Sequence, residues 1–125
     1  MGLGYAHFAV NRDFRDDLFD PDFVWDMSNF RGWPEKRLYR GVEGAREFMR
    51  DWLEPWNDWQ LEIEELRDAG DKVVAIAHQR GRSKTTGMPV EMSFAQVWTI
   101  RDGRQLRMQM YDDVAEAIAA AGLDP

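Results

Sequence analysis

Between Trp59 and Tyr111 the chain alternates apolar and polar residues in four successive runs, each separated from the next by a turn signal. Alternation with a period of two sends successive side chains to opposite faces of a strand. Trp59, Leu61 and Ile63 alternate with Gln60, Glu62 and Glu64, and Asp68-Ala69-Gly70-Asp71 then turns the chain. Lys72–Arg82 sets Val73, Ala75, Ala77 and Gln79 on one face, with Val74, Ile76, His78 and Arg80 on the other. Thr85–Pro89 turns it again. Val90–Ile100 sets Met92, Phe94, Gln96 and Trp98 opposite Ser93, Ala95, Val97 and Thr99. Asp102-Gly103 is a two-residue hairpin signal. Leu106, Met108 and Met110 then alternate with Arg107, Gln109 and Tyr111. Short turns between alternating runs predict neighbouring antiparallel strands.

The first half of the chain has the other period. Leu3, Ala6, Val10, Phe14 and Leu18 predict a helix over residues 3–19, stopped by Asp20-Pro21-Asp22. Phe23–Met27 predicts a short strand, with Phe23, Trp25 and Met27 on one side and Val24 and Asp26 on the other. Residues 28–40, with Asn, Gly, Pro and several basic residues, predict a long excursion of the kind that often binds ligands. Val42, Ala45, Met49, Trp52 and Trp56 form a stripe at helical spacing over Val42–Trp56, ended by Pro55. Asp112 or Asp113 caps a last, Ala-rich helix that Gly122 closes. The order predicts one α+β domain over residues 1–125, with helices packed on one face of a curved sheet.

Composition narrows the chemistry. The 125 residues are 44% hydrophobic and include no cysteine. A core is possible without disulfides, while thiol nucleophiles and thiolate zinc sites are excluded. The cysteine-free composition fits the cytoplasm. Met1–Val10 has neither the basic flank nor the apolar stretch of a secretory signal. No apolar run approaches the roughly 18 residues of a membrane span. A net charge of −7 disfavours nucleic acid. Asp13, Asp16, Asp17, Asp20 and Asp22 lack the spacing of a calcium loop, and two separated histidines make no zinc signature, so no metal is expected. Arg80, Arg82 and Lys84 near one hairpin and Arg101, Arg104 and Arg107 near the next are either scattered surface charge or a basic rim.

Three phrases, Asp20-Pro21-Asp22-Phe23-Val24-Trp25, Tyr39-Arg40-Gly41-Val42-Glu43-Gly44 and Val97-Trp98-Thr99-Ile100-Arg101-Asp102-Gly103, resemble in this order the SnoaL-like branch of the nuclear transport factor 2-like superfamily. Ketosteroid isomerase, limonene epoxide hydrolase and polyketide cyclases share that fold. The resemblance spans nearly the whole chain. It implies a cone: a curved antiparallel sheet with helices on its concave face, an apolar pocket between them, and a convex face that often makes a homodimer.

Both the apolar-face rule and a gapless match to the family strands point the same residues inward. The expected ligand-binding set is Trp25, Met27, Trp52, Gln79, Phe94, Gln96, Trp98, Met108, Met110 and, at the mouth, Asp112. For the aromatic and methionine residues an ordinary packed core is the competing reading. The carboxylate base of ketosteroid isomerase falls at Met27, with Asp26 one residue away. Its buried oxyanion donor falls at Gln96, whose amide can still donate a hydrogen bond. Its tyrosine falls near Ala6, between Tyr5 and His7. The epoxide hydrolase residues fall at Ala77, Gln79 and Met110. Neither mechanism carries over intact, which leaves Asp112 and Gln96 as catalytic candidates. A shift of strand parity would instead bring Asp26, His78 and Tyr111 inward as an acid–base set. Asp112 reads as a helix cap or a pocket carboxylate, and His78 as a surface or interface histidine unless parity shifts.

The implied ligand is a mostly apolar, ring-sized molecule with one or two oxygens, bound without a cofactor. The implied activity is acid–base isomerisation or cyclisation, with non-catalytic binding or a protein adaptor as alternatives. Val74, Ile76, Ala95 and Val97 form an apolar patch on the convex face that a second copy of the chain is expected to cover.

Overall fold

A single 3₁₀ turn, Asp16–Leu18, leads into β1 (Phe19–Asn29) in the computed structural model, which describes residues 16–123. There follow β2 (Leu38–Arg40), α1 (Gly41–Leu53), β3 (Trp56–Asp68), β4 (Lys72–Ser83), β5 (Pro89–Arg101), β6 (Arg104–Tyr111) and α2 (Val114–Ala120). The strands form one open sheet in the order β2-β1-β6-β5-β4-β3. The α+β class stands. The three hairpins β3/β4, β4/β5 and β5/β6 are antiparallel, whereas β1 pairs with β6 in parallel, so the sheet is mixed.

Most of the predicted first helix, with Tyr5 and His7, lies outside the described residues. Its last residue does not fit: Phe19 is already extended and pairs with Gln105. Asp20-Pro21-Asp22 is not a helix stop but an irregularity inside β1, where the register with β6 slips between Phe19 and Val24. Proline is tolerated there because no ladder bond needs its missing N–H. Asp20 accepts from the Asp22 amide at 2.8 Å and pairs with Arg101 at 3.1 Å. The excursion expected over residues 28–40 is shorter, because β1 runs to Asn29 and Leu38–Arg40 pairs with β1. Trp56 is not the end of the helical stripe; it opens β3 opposite Ser83.

The expected parity is observed. Trp25 pairs with Met108, Trp98 with Met108 and Val73, and Gln96 with Met110 and Ala75. Trp25, Ala75, Trp98, Met108 and Met110, with Phe23, Met27, Ala77 and Phe94, join Ala45, Phe48 and Trp52 of α1 in the main core. Trp25 stacks on Phe48 at 4.4 Å and meets Trp98 edge-on at 5.8 Å.

The opposite face differs from expectation. Val74, Ala95 and Val97 are buried, and Ile76 half-buried, in a second cluster with Tyr111, Ala117, Val114 and Ala121. The chain's own α2 therefore covers the patch assigned to a second copy. Its N-cap is Asp113, whose side chain accepts from the Glu116 amide at 3.2 Å. The two helices lie on opposite faces of the sheet rather than on one.

Candidate ligand-binding site

Gln79 is the most enclosed polar side chain on the face that α1 covers, at 2% exposure. Two indoles hold it. Trp52 Nε1 donates to Gln79 Oε1 at 2.8 Å, and Trp59 Nε1 donates to the same oxygen at 3.0 Å. Trp52 reaches it because the apolar stripe Ala45–Phe48–Trp52 turns that side of α1 onto the sheet. Trp59 reaches it from the edge strand β3, beside a bulge. Asn57 pairs with Arg82 and Gln60 with Arg80, so Asp58 and Trp59 together oppose Gly81. Asp58 takes the left-handed conformation, φ 54°, that an aspartate tolerates. Gly81 keeps the crossing open, since a Cβ there would meet the Asn57 carbonyl oxygen at 3.3 Å.

Half-buried apolar side chains border this end of the core: Phe30, Trp33, Trp59, Met49, Leu53 and Met92. Phe30 packs edge-on against Trp52 at 5.6 Å, and Trp33 lies 5.6 Å from the same ring. Phe30 and Trp33 stand on the loop between β1 and β2. Arg31 ties that loop to the start of α2: its amide donates to Asp112 at 2.9 Å, and its guanidinium to Asp112 at 2.8 Å and Glu116 at 2.6 Å. Asp112 is thus neither the helix cap nor free of a cation; it anchors the loop that carries the aromatic rim.

Gln96, another inward amide, lies deeper along the sheet at 7% exposure. Its Oε1 accepts from Trp98 Nε1 at 3.2 Å, and its amide nitrogen sits 4.0 Å from Met110 Sδ. Trp25, Met27, Phe94, Met108 and Met110 are buried around it in the same core.

The alternative acid–base set does not converge. Asp26 is level with Val74 across the ladder, whereas His78 lies four residues farther along β4. Three strand spacings of about 4.8 Å and four residues at about 3.3 Å put Asp26 and His78 roughly 20 Å apart. β1 does slip register, between Asp26 and Asn29, but Met27 remains in the core on the α1 side. Asp26 is 4% exposed and accepts from the Ser28 amide at 2.8 Å and from Arg107. Burial pushes its carboxyl up, but the hydrogen bonds from Ser28 and Arg107 outweigh this and hold its pKa below the ordinary value. A carboxylate so held is a weak proton acceptor. Burial, followed by the nearby Asp26 and Glu116 charges, raises the Tyr111 phenol. His78 contacts Ser93 Oγ at 3.2 Å and lies 3.9 Å from Glu91.

A single basic rim does not form either. Successive hairpins of a meander lie at opposite ends of the sheet, which separates Arg80, Arg82 and Lys84 from Arg101 and Arg104. Arg107 is engaged by Asp26. No group of acidic or histidine side chains among the described residues could hold a metal. Two open grooves, of about 490 and 380 Å³, run along β2 and the start of α1, away from Gln79.

The sequence reading placed Gln79 and Trp52 at the site but omitted Trp59, Phe30 and Trp33. Trp59 was legible, because it shares the inward parity of Leu61 and Ile63. Phe30 and Trp33 belong to a loop, where no periodicity marks a face.

Residues 7–108 match the family described as a SnoaL-like domain. Among solved structures, TerC co-crystallised with polyporic acid is 23% identical, with a TM-score of 0.71 over 95% of this chain and 92% of that one. A protein of ketosteroid isomerase-like fold from Catenulispora acidiphila, in complex with trimethylamine, is 18% identical, with a TM-score of 0.72 over 98% and 92%. An NTF2-like protein from Burkholderia thailandensis is 22% identical, with a TM-score of 0.74 over 98% and 95%. No curated protein matches the chain.

Proposed function

Because the chain belongs to the SnoaL-like domain family, we propose that it binds a small, mostly apolar, ring-sized organic molecule at the aromatic end of the α1-covered face. Gln79 donates a hydrogen bond to an oxygen of that molecule. The observation that carries this reading is the amide itself. Its oxygen is occupied by two indoles, and among the described residues nothing accepts from its nitrogen. The nitrogen keeps a path to solvent, so a ligand oxygen would take the place of water there. Half-buried aromatic and methionine side chains around it suit a ring of variable shape. TerC with polyporic acid and the Catenulispora protein with trimethylamine are precedents for small organic molecules on this fold.

Binding is favoured over acid–base catalysis by the polar groups at hand. Among the described residues the α1-covered face offers the amides of Gln79, Gln96 and Gln105 and the Tyr39 phenol, which is held by Asp51; an amide can stabilise an oxyanion but cannot carry a proton between atoms. Isomerisation or cyclisation would draw its titrating group from Tyr5 or His7, outside the described residues.

The test is a titration with 9-fluorenone, a tricyclic ketone, followed by tryptophan fluorescence and thermal stability. A saturable response is expected, weakened about tenfold by Gln79→Met, which corresponds to about 1.4 kcal/mol. The absence of any saturable response would reject the proposal.

A further inference from the structure

We propose that Trp52 and Trp59 are specificity-determining positioning residues, which turn Gln79 into a one-way donor and so restrict the ligand to molecules that present a hydrogen-bond acceptor. The inference rests on the binding reading above and goes beyond it. An unconstrained glutamine amide can rotate by half a turn and offer either its oxygen or its NH₂ group. This one cannot. An indole nitrogen only donates, and both indoles, at 2.8 and 3.0 Å, converge on the same amide atom. Reversing the amide would set its NH₂ group against two N–H donors at once, inside a core where water cannot compensate.

The two indoles come from different elements, Trp52 from α1 and Trp59 from β3. The amide is therefore held from two sides, and the selection does not depend on one flexible side chain. A ketone, quinone or enolate oxygen would be accepted, whereas a ligand offering only an N–H or O–H at that point would meet a like donor. The Asp58–Trp59 bulge lies beside the device, opposite Gly81, while Trp59 takes its face from the alternation it shares with Leu61 and Ile63.

Three tricyclic molecules of nearly one shape test this: 9-fluorenone, which accepts; fluorene, which does neither; and carbazole, which donates. For the unaltered protein the expected order places 9-fluorenone about tenfold tighter than carbazole, with fluorene between them. Trp59→Phe keeps a ring in place and removes one N–H. It should cut the preference about threefold, read as the ratio of 9-fluorenone to fluorene affinity. Trp52→Phe combined with Trp59→Phe should remove the preference altogether. Should the double variant fail to fold, Trp59→Phe alone decides, because a packing role would weaken all three molecules together and leave their ratio intact. Equal binding of all three by the unaltered protein, or an unchanged ratio in Trp59→Phe, overturns the inference and leaves the binding site standing. Failure of all three to bind removes the binding site, and this inference with it.

Discussion

Asp26 and Gln79 show how little the identity of a polar residue reveals until its partners are known. Both are buried, yet the carboxylate is fully engaged and the amide is half engaged. Ser28 and Arg107 satisfy Asp26, so its charge supports the fold. The sign of its pH dependence follows from its lowered pKa. The contribution is complete above the unfolded value, near 3.8, and is lost as pH falls below that value toward the folded one. Asp26→Asn should therefore lower stability by about 1.5–3 kcal/mol at pH 7, the range for hydrogen bonds to a charged group. The difference between the melts of the two proteins should shrink as the pH is lowered below about 3.8. A difference that persists undiminished in acid would mean that the carboxylate charge is not what stabilises.

At the scale of elements, close backbone approaches place the site. α1 lies so near β2 that a Cβ on Gly44 would come within 2.8 Å of the Tyr39 carbonyl carbon. That atom is backbone and cannot swing aside. Alanine is the better helix former by about 1 kcal/mol, yet Gly44→Ala should destabilise the protein by about 1–3 kcal/mol through overpacking. The displacement would pass along α1 to Trp52, so weaker 9-fluorenone binding should accompany the lower melting temperature. An unchanged melt would show that α1 can shift without cost. The neighbouring Tyr39 is buried, and its hydroxyl donates to Asp51 at 3.0 Å. Burial first, and then that bond, push its phenol well above the ordinary tyrosine value. The second half of the chain was legible at this scale: the observed β4, β5 and β6 match the alternating runs to within a residue or two, because a half-buried strand writes its period directly into the sequence. The first half was less so. Asp20-Pro21-Asp22 has the residues of a helix stop, and only pairing with β6 makes it a bulge.

For the whole molecule, the consequential finding is that the chain itself covers an apolar patch on the outer face of the sheet. α2 closes over Val74, Ala95 and Val97, with Ala117 fully buried at the contact. Ala117→Arg should lift the helix, cost about 2–4 kcal/mol, and add concentration-dependent association visible in sedimentation velocity as the bared patch seeks cover. Unaltered stability and sedimentation would show that α2 is dispensable to that face. By itself the sequence determined the strands of the meander, the inward parity of Trp25, Gln79, Phe94, Gln96 and Trp98, and the outward parity of His78. Those properties are periodic, and a period of two survives whatever surrounds the strand. Tertiary structure alone decided three other things: that β1 runs parallel to β6, that α2 rather than a second copy covers the outer patch, and that two indoles meet on one amide oxygen. Each depends on segments distant in sequence coming together, and the physical terms that bring them there, packing and burial, leave no local pattern to read.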